Sequence, residues 1–205
     1  MTFNIDVMKQ ELTELDEKQF YIKYIVKTMN WYFSSYMEFD DKTMLETLDH
    51  FKEIVSEKLS VSFHSAHIVG SAKVGYSLSP RKPFRPFHEE EPGTPSSDID
   101  VAIISDYLFN MFWQKLRACY KTQFIANYNQ VTSTIFQGYI NEKDITAIKG
   151  IGQEWIDMFS PITRTLQDEL NIIHPITYRV YRSWEDLEQY QISGLNKLKK
   201  YLEEQ

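Results

Sequence analysis

A single cysteine, seven glycines and the lack of any long apolar run set the first limits on this 205-residue chain. Cys119 has no internal disulfide partner and cannot build a cysteine-based metal cluster, which excludes zinc ribbons and thiol redox pairs. The same usage fits a reducing compartment, so a cytoplasmic location is the expectation. No apolar stretch approaches the roughly 18 to 20 residues that a membrane span needs. The amino end, from Met1 to Leu12, carries neither the basic nor the apolar region of a secretory signal, and no membrane partner is expected. Glycine stands at about half its usual share, which suits helices better than a sandwich of many turns. Positive charge is in deficit too: 22 Lys+Arg face 29 Asp+Glu, for a net charge of −7. A broad basic surface for nonspecific nucleic-acid binding is therefore excluded, while a local basic groove is not.

Hydrophobic residues make up 42% of the chain, charged residues 25% and aromatics 15%, enough to bury a core and exclude a disordered or low-complexity chain. With no repeat and no linker, the expectation is one domain over residues 1–205. Its fold class is α+β: a small mixed sheet packed with amino- and carboxy-terminal helices, helix-dominated. Residues 1–60 read as helical. Within them Val7, Leu12, Leu15, Phe20, Ile22, Tyr24, Ile25, Met29 and Trp31 form one or two amphipathic helices over residues 6–34. Met44, Leu45, Leu48, Phe51, Ile54, Val55 and Leu59 predict another over 42–59, capped by Asp40 or Asp41.

The period then changes, and residues 61–110 form the core of the prediction. Val61, Phe63, His67, Ile68 and Val69 read as a buried strand ending at the Gly70-Ser71 turn, and Ile99 to Ile104 read as a second. Between them, Ser77 to Ser97 holds five of the seven prolines and predicts an exposed loop. Its first half is basic (Arg81, Lys82, Arg85) and its second acidic (Glu89, Glu90, Glu91). Residues 111–205 read as helical with one later strand. Helix is predicted from Asp106 to about Asn127, and short helices over 141–172 are broken by Gly150, Gly152 and Pro161. A strand follows in His174 to Trp184, and a last helix over Glu185 to Leu202.

The chemistry concentrates in two short motifs. Side chains alternate along a strand, so Asp98 and Asp100 share one face while Ile99, Val101 and Ile103 take the other. Carboxylates about 7 Å apart by the usual rise per residue suit a hard divalent cation. Magnesium in particular takes one or two carboxylates together with water and phosphate oxygens. The Gly70-Ser71 turn adds close backbone approach, a hydroxyl and free N–H groups for anionic oxygens at the start of a short helix over Ala72 to Ser77.

Together these residues resemble the signature of the DNA polymerase β-type nucleotidyltransferase superfamily: Val69-Gly70-Ser71, a spacer, then Ser97-Asp98-Ile99-Asp100-Val101. The resemblance covers about residues 66–105. It implies two magnesium ions, with manganese as a substitute, held by Asp98 and Asp100 as metal-binding and catalytic residues. It also implies an NTP held by Gly70, Ser71, Lys73 and Arg81, and transfer of a nucleoside monophosphate to a hydroxyl of RNA (such as a tRNA 3′ end), protein or a small molecule. Small stand-alone bacterial members of this layout often serve in toxin-antitoxin or phage-defence systems. The spacer exceeds the family's usual one because the proline-rich loop lies inside it. The family's third carboxylate is not identified: the later strand carries Arg179 and Arg182, and Asp144, Asp157, Glu185 and Asp186 sit on no convincing strand. A catalytically weak or inactive binding partner is therefore the alternative.

Other signals have plainer readings. Gly70 to Ser77 approximates a phosphate-binding loop, but Tyr76 stands where its lysine is required. A sugar-nucleotide glycosyltransferase would need a larger nucleotide-binding domain ahead of the acidic motif, where this chain reads as helix. His64 and His67 read as structural, His88 as solvated, His174 as a turn residue, and Cys119 as a small buried hydrophobe. The run Glu89 to Glu91 and the cluster Lys197, Lys199 and Lys200 read as solvated charge, whereas Arg179 and Arg182 serve equally as substrate contacts or as partners of local acids.

Overall fold

The structure, a computed structural model, describes residues 4–87 and 97–204. His88, the acidic run Glu89 to Glu91, Pro92 and Pro95 lie outside the described residues. The chain opens with α1 (Ile5–Glu14) and α2 (Glu17–Tyr21), each started by a side chain that accepts hydrogen bonds from two backbone N–H groups: Asn4 from Asp6 and Val7, Asp16 from Lys18 and Gln19. Those N–H groups have no partner inside a helix, which is why Asn and Asp recur at such positions. Two π-helical turns follow, Ile22–Val26 and Tyr32–Tyr36, where the apolar spacing predicts only α-helix. Helix α3 (Asp41–Leu59) begins as expected, with the Asp40 carboxylate accepting from the Thr43 N–H at 2.8 Å.

A single 3₁₀ turn (Phe63–Ser65) precedes β1 (Ala66–Val69), so the predicted strand is shortened from its amino end. Then come α4 (Gly70–Val74), β2 (Ile99–Ile104), α5 (Asp106–Tyr120), α6 (Tyr128–Phe136), β3 (Tyr139–Asn141), α7 (Glu142–Thr146), α8 (Ile151–Leu170), β4 (Ile176–Tyr181) and α9 (Trp184–Glu203). The strands form one mixed four-stranded sheet in the order β1-β2-β4-β3, with β3 antiparallel to β4 and Tyr139 opposite Tyr181. A helix-dominated α+β fold results. No helix among the described residues is long and apolar enough to cross a membrane.

Three predicted features change. The helix expected to reach Asn127 stops at Tyr120; α6 falls in the part read as helical, and β3 adds a strand to the one expected after residue 111, because three residues are too few to show alternation. The short helices expected over 141–172 are α7 and one long helix, α8, which runs through Gly152 and Pro161. Its apolar face outweighs the hydrogen bond that proline removes: Trp155 packs against Phe112 at 4.9 Å and Phe159 at 4.4 Å between ring centres, and Phe159 stacks on Tyr178. The third change is the proline-rich loop, which is not simply exposed. Ser77 N–H donates to the Arg85 carbonyl and Phe84 N–H to the Ser77 carbonyl, and Tyr76 bridges Pro86, so residues 76–86 make a hairpin-like excursion. Phe84 and Phe87 are buried, while Arg81 and Lys82 remain exposed at its tip.

Contacts gather the chain into two compact units. One combines Met1–Leu48, Ile68–Asp100 and Glu188–Gln205; the other combines Asp49–His67 with Val101–Leu187. Their limits fall inside α3, β1, β2 and α9 rather than in polar connections, so no linker is legible. In the first unit Met8, Leu12, Phe20, Tyr24, Phe84, Leu195 and Leu198 form a buried cluster. Lys199, read as solvated, is instead half-buried and donates to the Leu15 carbonyl at 2.9 Å. In the second unit, burial pushes the Tyr178 phenol far above its usual range, and its hydroxyl meets that of Thr163 at 2.9 Å.

Two outcomes follow. Phe84 has φ +54°, a left-handed conformation that costs a bulky residue about 1–2 kcal/mol, and it is kept there by burial. Phe84→Ala is expected to lower unfolding free energy by about 3–5 kcal/mol, read from the denaturant midpoint at unchanged m-value. In the second unit, His50 meets Glu53 at 3.2 Å and Glu169 at 2.9 Å, and hydrogen bonding to Glu53, then to Glu169, raises its pKa against a desolvation effect. A raised folded-state pKa gives stability that is complete below the ordinary histidine value and is lost as pH rises through the elevated one. Thermal melts across that window should show this loss in the wild type and not in His50→Gln.

Candidate functional site

Strand β1 delivers the chain to Gly70, where φ is +66° and the helix α4 begins. The reason for glycine is measurable, because a Cβ built on Gly70 would lie 2.6 Å from Asp100 Oδ2. Residues thirty positions apart in the chain are thus in contact, and the two motifs meet at one place in the first unit. Gly75 closes α4 in the left-handed region at φ +87°, its N–H donating to the Ser71 carbonyl at 2.8 Å, and a Cβ there would strike the Trp31 indole at 2.7 Å. The four-residue gap between these glycines is the length of one short helix, with no lysine needed at Tyr76.

The long spacer is accommodated without moving its ends. Phe87 N–H donates to the Gly75 carbonyl at 2.9 Å, so the chain returns to the end of α4 after the excursion over 76–86. Ser97 Oγ then donates to the Phe87 carbonyl, which ties down the residue just before Asp98. Phe87 sits among Trp31, Tyr32 and Tyr36, with ring centres at 5.7, 5.7 and 6.5 Å.

Along the start of β2 the burial alternates as predicted: Asp98 and Asp100 are half-buried, Ile99 and Val101 fully buried. The donor set fits magnesium, since two carboxylates on alternate residues leave most of a six-oxygen shell to water and phosphate. Ser71 is half-buried in the first turn of α4. The first N–H groups of any helix lack an intrahelical partner, so the turn offers donors close to the Asp100 carboxylate. Lys73, on the same helix, is half-buried and sends its ammonium to the Thr28 carbonyl. Arg81 is exposed at the tip of the excursion. Gly70 and Asp100 are therefore brought together, with Asp98 half-buried just ahead of β2, while Lys73 and Arg81 have surroundings of their own.

No group of three potential metal-ligating side chains occurs among the described residues. In the second unit three of the four acids considered for the third carboxylate have structural partners: Asp144 accepts from the Asn141 side-chain amide at 2.5 Å, Asp157 from Gln153 at 2.8 Å, and Asp186 from both arms of Arg182 at 2.9 Å. Arg182 is thus a partner of a local acid. Arg179 lies over the Tyr139 ring and donates to the Tyr181 hydroxyl at 3.3 Å. Sequence reasoning missed Glu142, whose Oε2 accepts the Tyr178 N–H of β4 at 3.0 Å; the signal was the apolar Tyr139-Ile140 pair just before it. His67 has its Nε2 2.8 Å from the His64 carbonyl oxygen and packs edge-on against Trp184. His174 is buried at a bend, and Cys119 is half-buried.

The Gly70–Asp100 contact makes a quantitative prediction. In Asp100→Ala the oxygen at 2.6 Å is gone and only the Cβ, at 3.5 Å, remains. Gly70→Ala should therefore cost clearly more in the wild type than in Asp100→Ala. The double-mutant cycle, read by chemical denaturation, is expected to show at least about 0.5 kcal/mol of coupling. Comparisons with family models, with curated proteins and with solved structures gave no match, so the candidate site stands on its own residues and their geometry.

Proposed function

We propose that this protein is a magnesium-dependent nucleotidyltransferase that moves a nucleoside monophosphate from an NTP to a hydroxyl group. The observation that carries the reading is the contact between Gly70 and Asp100. A turn suited to phosphate and a carboxylate pair suited to magnesium are neighbours, as a reaction on a metal-bound triphosphate requires.

Asp98 and Asp100 would hold the magnesium, which when bound supplies charge neutralisation on phosphate oxygens. Gly70, having no side chain, admits the Asp100 carboxylate against its α-carbon, and Ser71 and the first N–H groups of α4 would donate to phosphate oxygens held beside that carboxylate. In the transfer, a bond forms between the acceptor oxygen and the α-phosphorus. The bond to the bridging oxygen breaks, pyrophosphate leaves, and the acceptor proton passes to a base. Lys73, held at the Thr28 carbonyl, fixes α4 against the segment after the first π turn, a positioning contribution rather than a direct one. The acceptor is a hydroxyl of RNA, protein or a small molecule.

A second reading is favoured by one observation, the absence among the described residues of a three-carboxylate group. On it, the chain binds nucleotide through the same residues but transfers it weakly or not at all. The two readings separate in one experiment: purified protein is incubated with each α-labelled NTP, magnesium or manganese, total RNA and lysate. Label should enter RNA, protein or a small molecule, and Asp98→Ala/Asp100→Ala should reduce it about a hundredfold or more, the scale of removing a preorganised electrostatic group. Absence of label in every fraction, with nucleotide binding intact and sensitive to the same substitutions, would replace the first reading by the second.

A further inference from the structure

The second unit carries an exposed surface that neither the site nor the core explains. Residues 107–141 contain no Asp or Glu, and their only charges are Lys115, Arg117 and Lys121, a local positive surplus in a chain of net charge −7. The same stretch exposes aromatic rings: Tyr120 is 60% exposed, Phe124 91%, Tyr128 40% and Phe136 90%. Large apolar rings left this open mark a binding surface when they cluster, and two of these are in direct contact. Tyr120 at the end of α5 and Tyr128 at the start of α6 stack with ring centres 4.9 Å apart and planes at 26°, and Phe124 lies on the connection between them.

Cations are interleaved with the rings. Arg117 lies over the Trp113 ring at 5.1 Å, one turn before Tyr120 and Lys121 on α5. Helical spacing places Trp113, Arg117, Tyr120 and Lys121 on neighbouring positions of one stripe that continues toward Phe124. The acids that flank the stretch in the chain are engaged, Asp106 with the Asn110 amide and Glu142 with the Tyr178 N–H, and Glu154 pairs with Lys115.

We propose that this surface binds single-stranded RNA, its bases stacking on Phe124 and the Tyr120–Tyr128 pair and its phosphates meeting Arg117 and Lys121. Open aromatic faces beside cations are what unpaired bases on a charged backbone require, and single-stranded loops and ends of RNA present such bases. A protein partner or a second copy would match the rings but not the adjoining cations Arg117 and Lys121. This inference goes beyond the proposed transfer activity and does not depend on it.

The test uses the full chain without NTP or metal, and a labelled mixed-sequence RNA single strand followed by fluorescence anisotropy through a salt titration. Phe124→Ala and Tyr120→Ala are each expected to weaken binding by about fivefold or more. Arg117→Gln/Lys121→Gln should flatten the dependence of log affinity on log salt by about 0.7 for each phosphate that is no longer neutralised. Asp98→Ala/Asp100→Ala should bind as the wild type does, which separates failure of this proposal from failure of the transferase reading. Circular dichroism checks that each variant is folded, and Phe124→Tyr, which keeps a ring, should retain binding. The proposal is overturned if the wild type does not bind, if folded Phe124→Ala and Arg117→Gln/Lys121→Gln bind unchanged, or if polyphosphate competes as well as RNA. It is equally overturned if sedimentation shows a dimer that Phe124→Ala dissolves while RNA affinity stays the same.

Discussion

A bare α-carbon facing a carboxylate organises the first unit. Gly70 has no side chain because Asp100 Oδ2 takes the space, and its φ of +66° turns the chain from β1 into α4 at the same point. Any other residue would meet both penalties, the strain of a left-handed backbone and a collision with the acid. The end of β1, the start of β2 and the first turn of α4 are thereby fixed to one another, and they carry Gly70, Ser71 and Asp100 of the candidate site. The requirement is local to two residues, and so it survives a spacer of unusual length between them.

That tolerance has a simple energetic basis. The entropy of closing a loop rises only slowly with its length, by about 0.6 kcal/mol for each doubling, so an insertion is cheap when its ends stay in place. Here the ends are held by the return of Phe87 to the Gly75 carbonyl and by Ser97 to the Phe87 carbonyl. Phe84 and Phe87 add apolar anchors, one in the cluster of Met8, Leu12 and Phe20, the other among Trp31, Tyr32 and Tyr36. Proline, arginine and lysine at the tip dominate the composition, and the two phenylalanines dominate the energetics. This is why composition alone reads the segment as exposed.

Much of the fold was legible wherever one period ran long enough to be read. Strands β2 and β4 and helices α3 and α9 carry uninterrupted apolar patterns and lie where those patterns put them. What was not legible depends on tertiary context. A π turn and an α turn share nearly the same apolar spacing, and three residues of β3 are too few to show alternation. Pro161 and Gly152 argue for a break that the apolar face of α8 overrides. For the site, Gly70, Asp98 and Asp100 were visible as residue types at a spacing, but the contact of Gly70 with Asp100 was not. The hydrogen bond from Lys73 to the Thr28 carbonyl, between residues 45 positions apart, was not legible either.

Net charge misleads in a comparable way. A value of −7 describes the molecule as seen from beyond a Debye length, about 8–10 Å at ordinary salt. A ligand in contact instead feels the few charges next to it, and those follow how acids are distributed along the chain. In this protein the acids avoid residues 107–141 altogether, while Asp98 and Asp100 stand two residues apart at the start of β2. Opposite electrostatic surroundings on a single acidic chain are thus a matter of placement. The exposed rings between Tyr120 and Tyr128 bear on the same point, because apolar area left in water has an energetic cost that folding alone would remove. Its persistence beside Arg117 and Lys121 calls for a partner that is aromatic and anionic together.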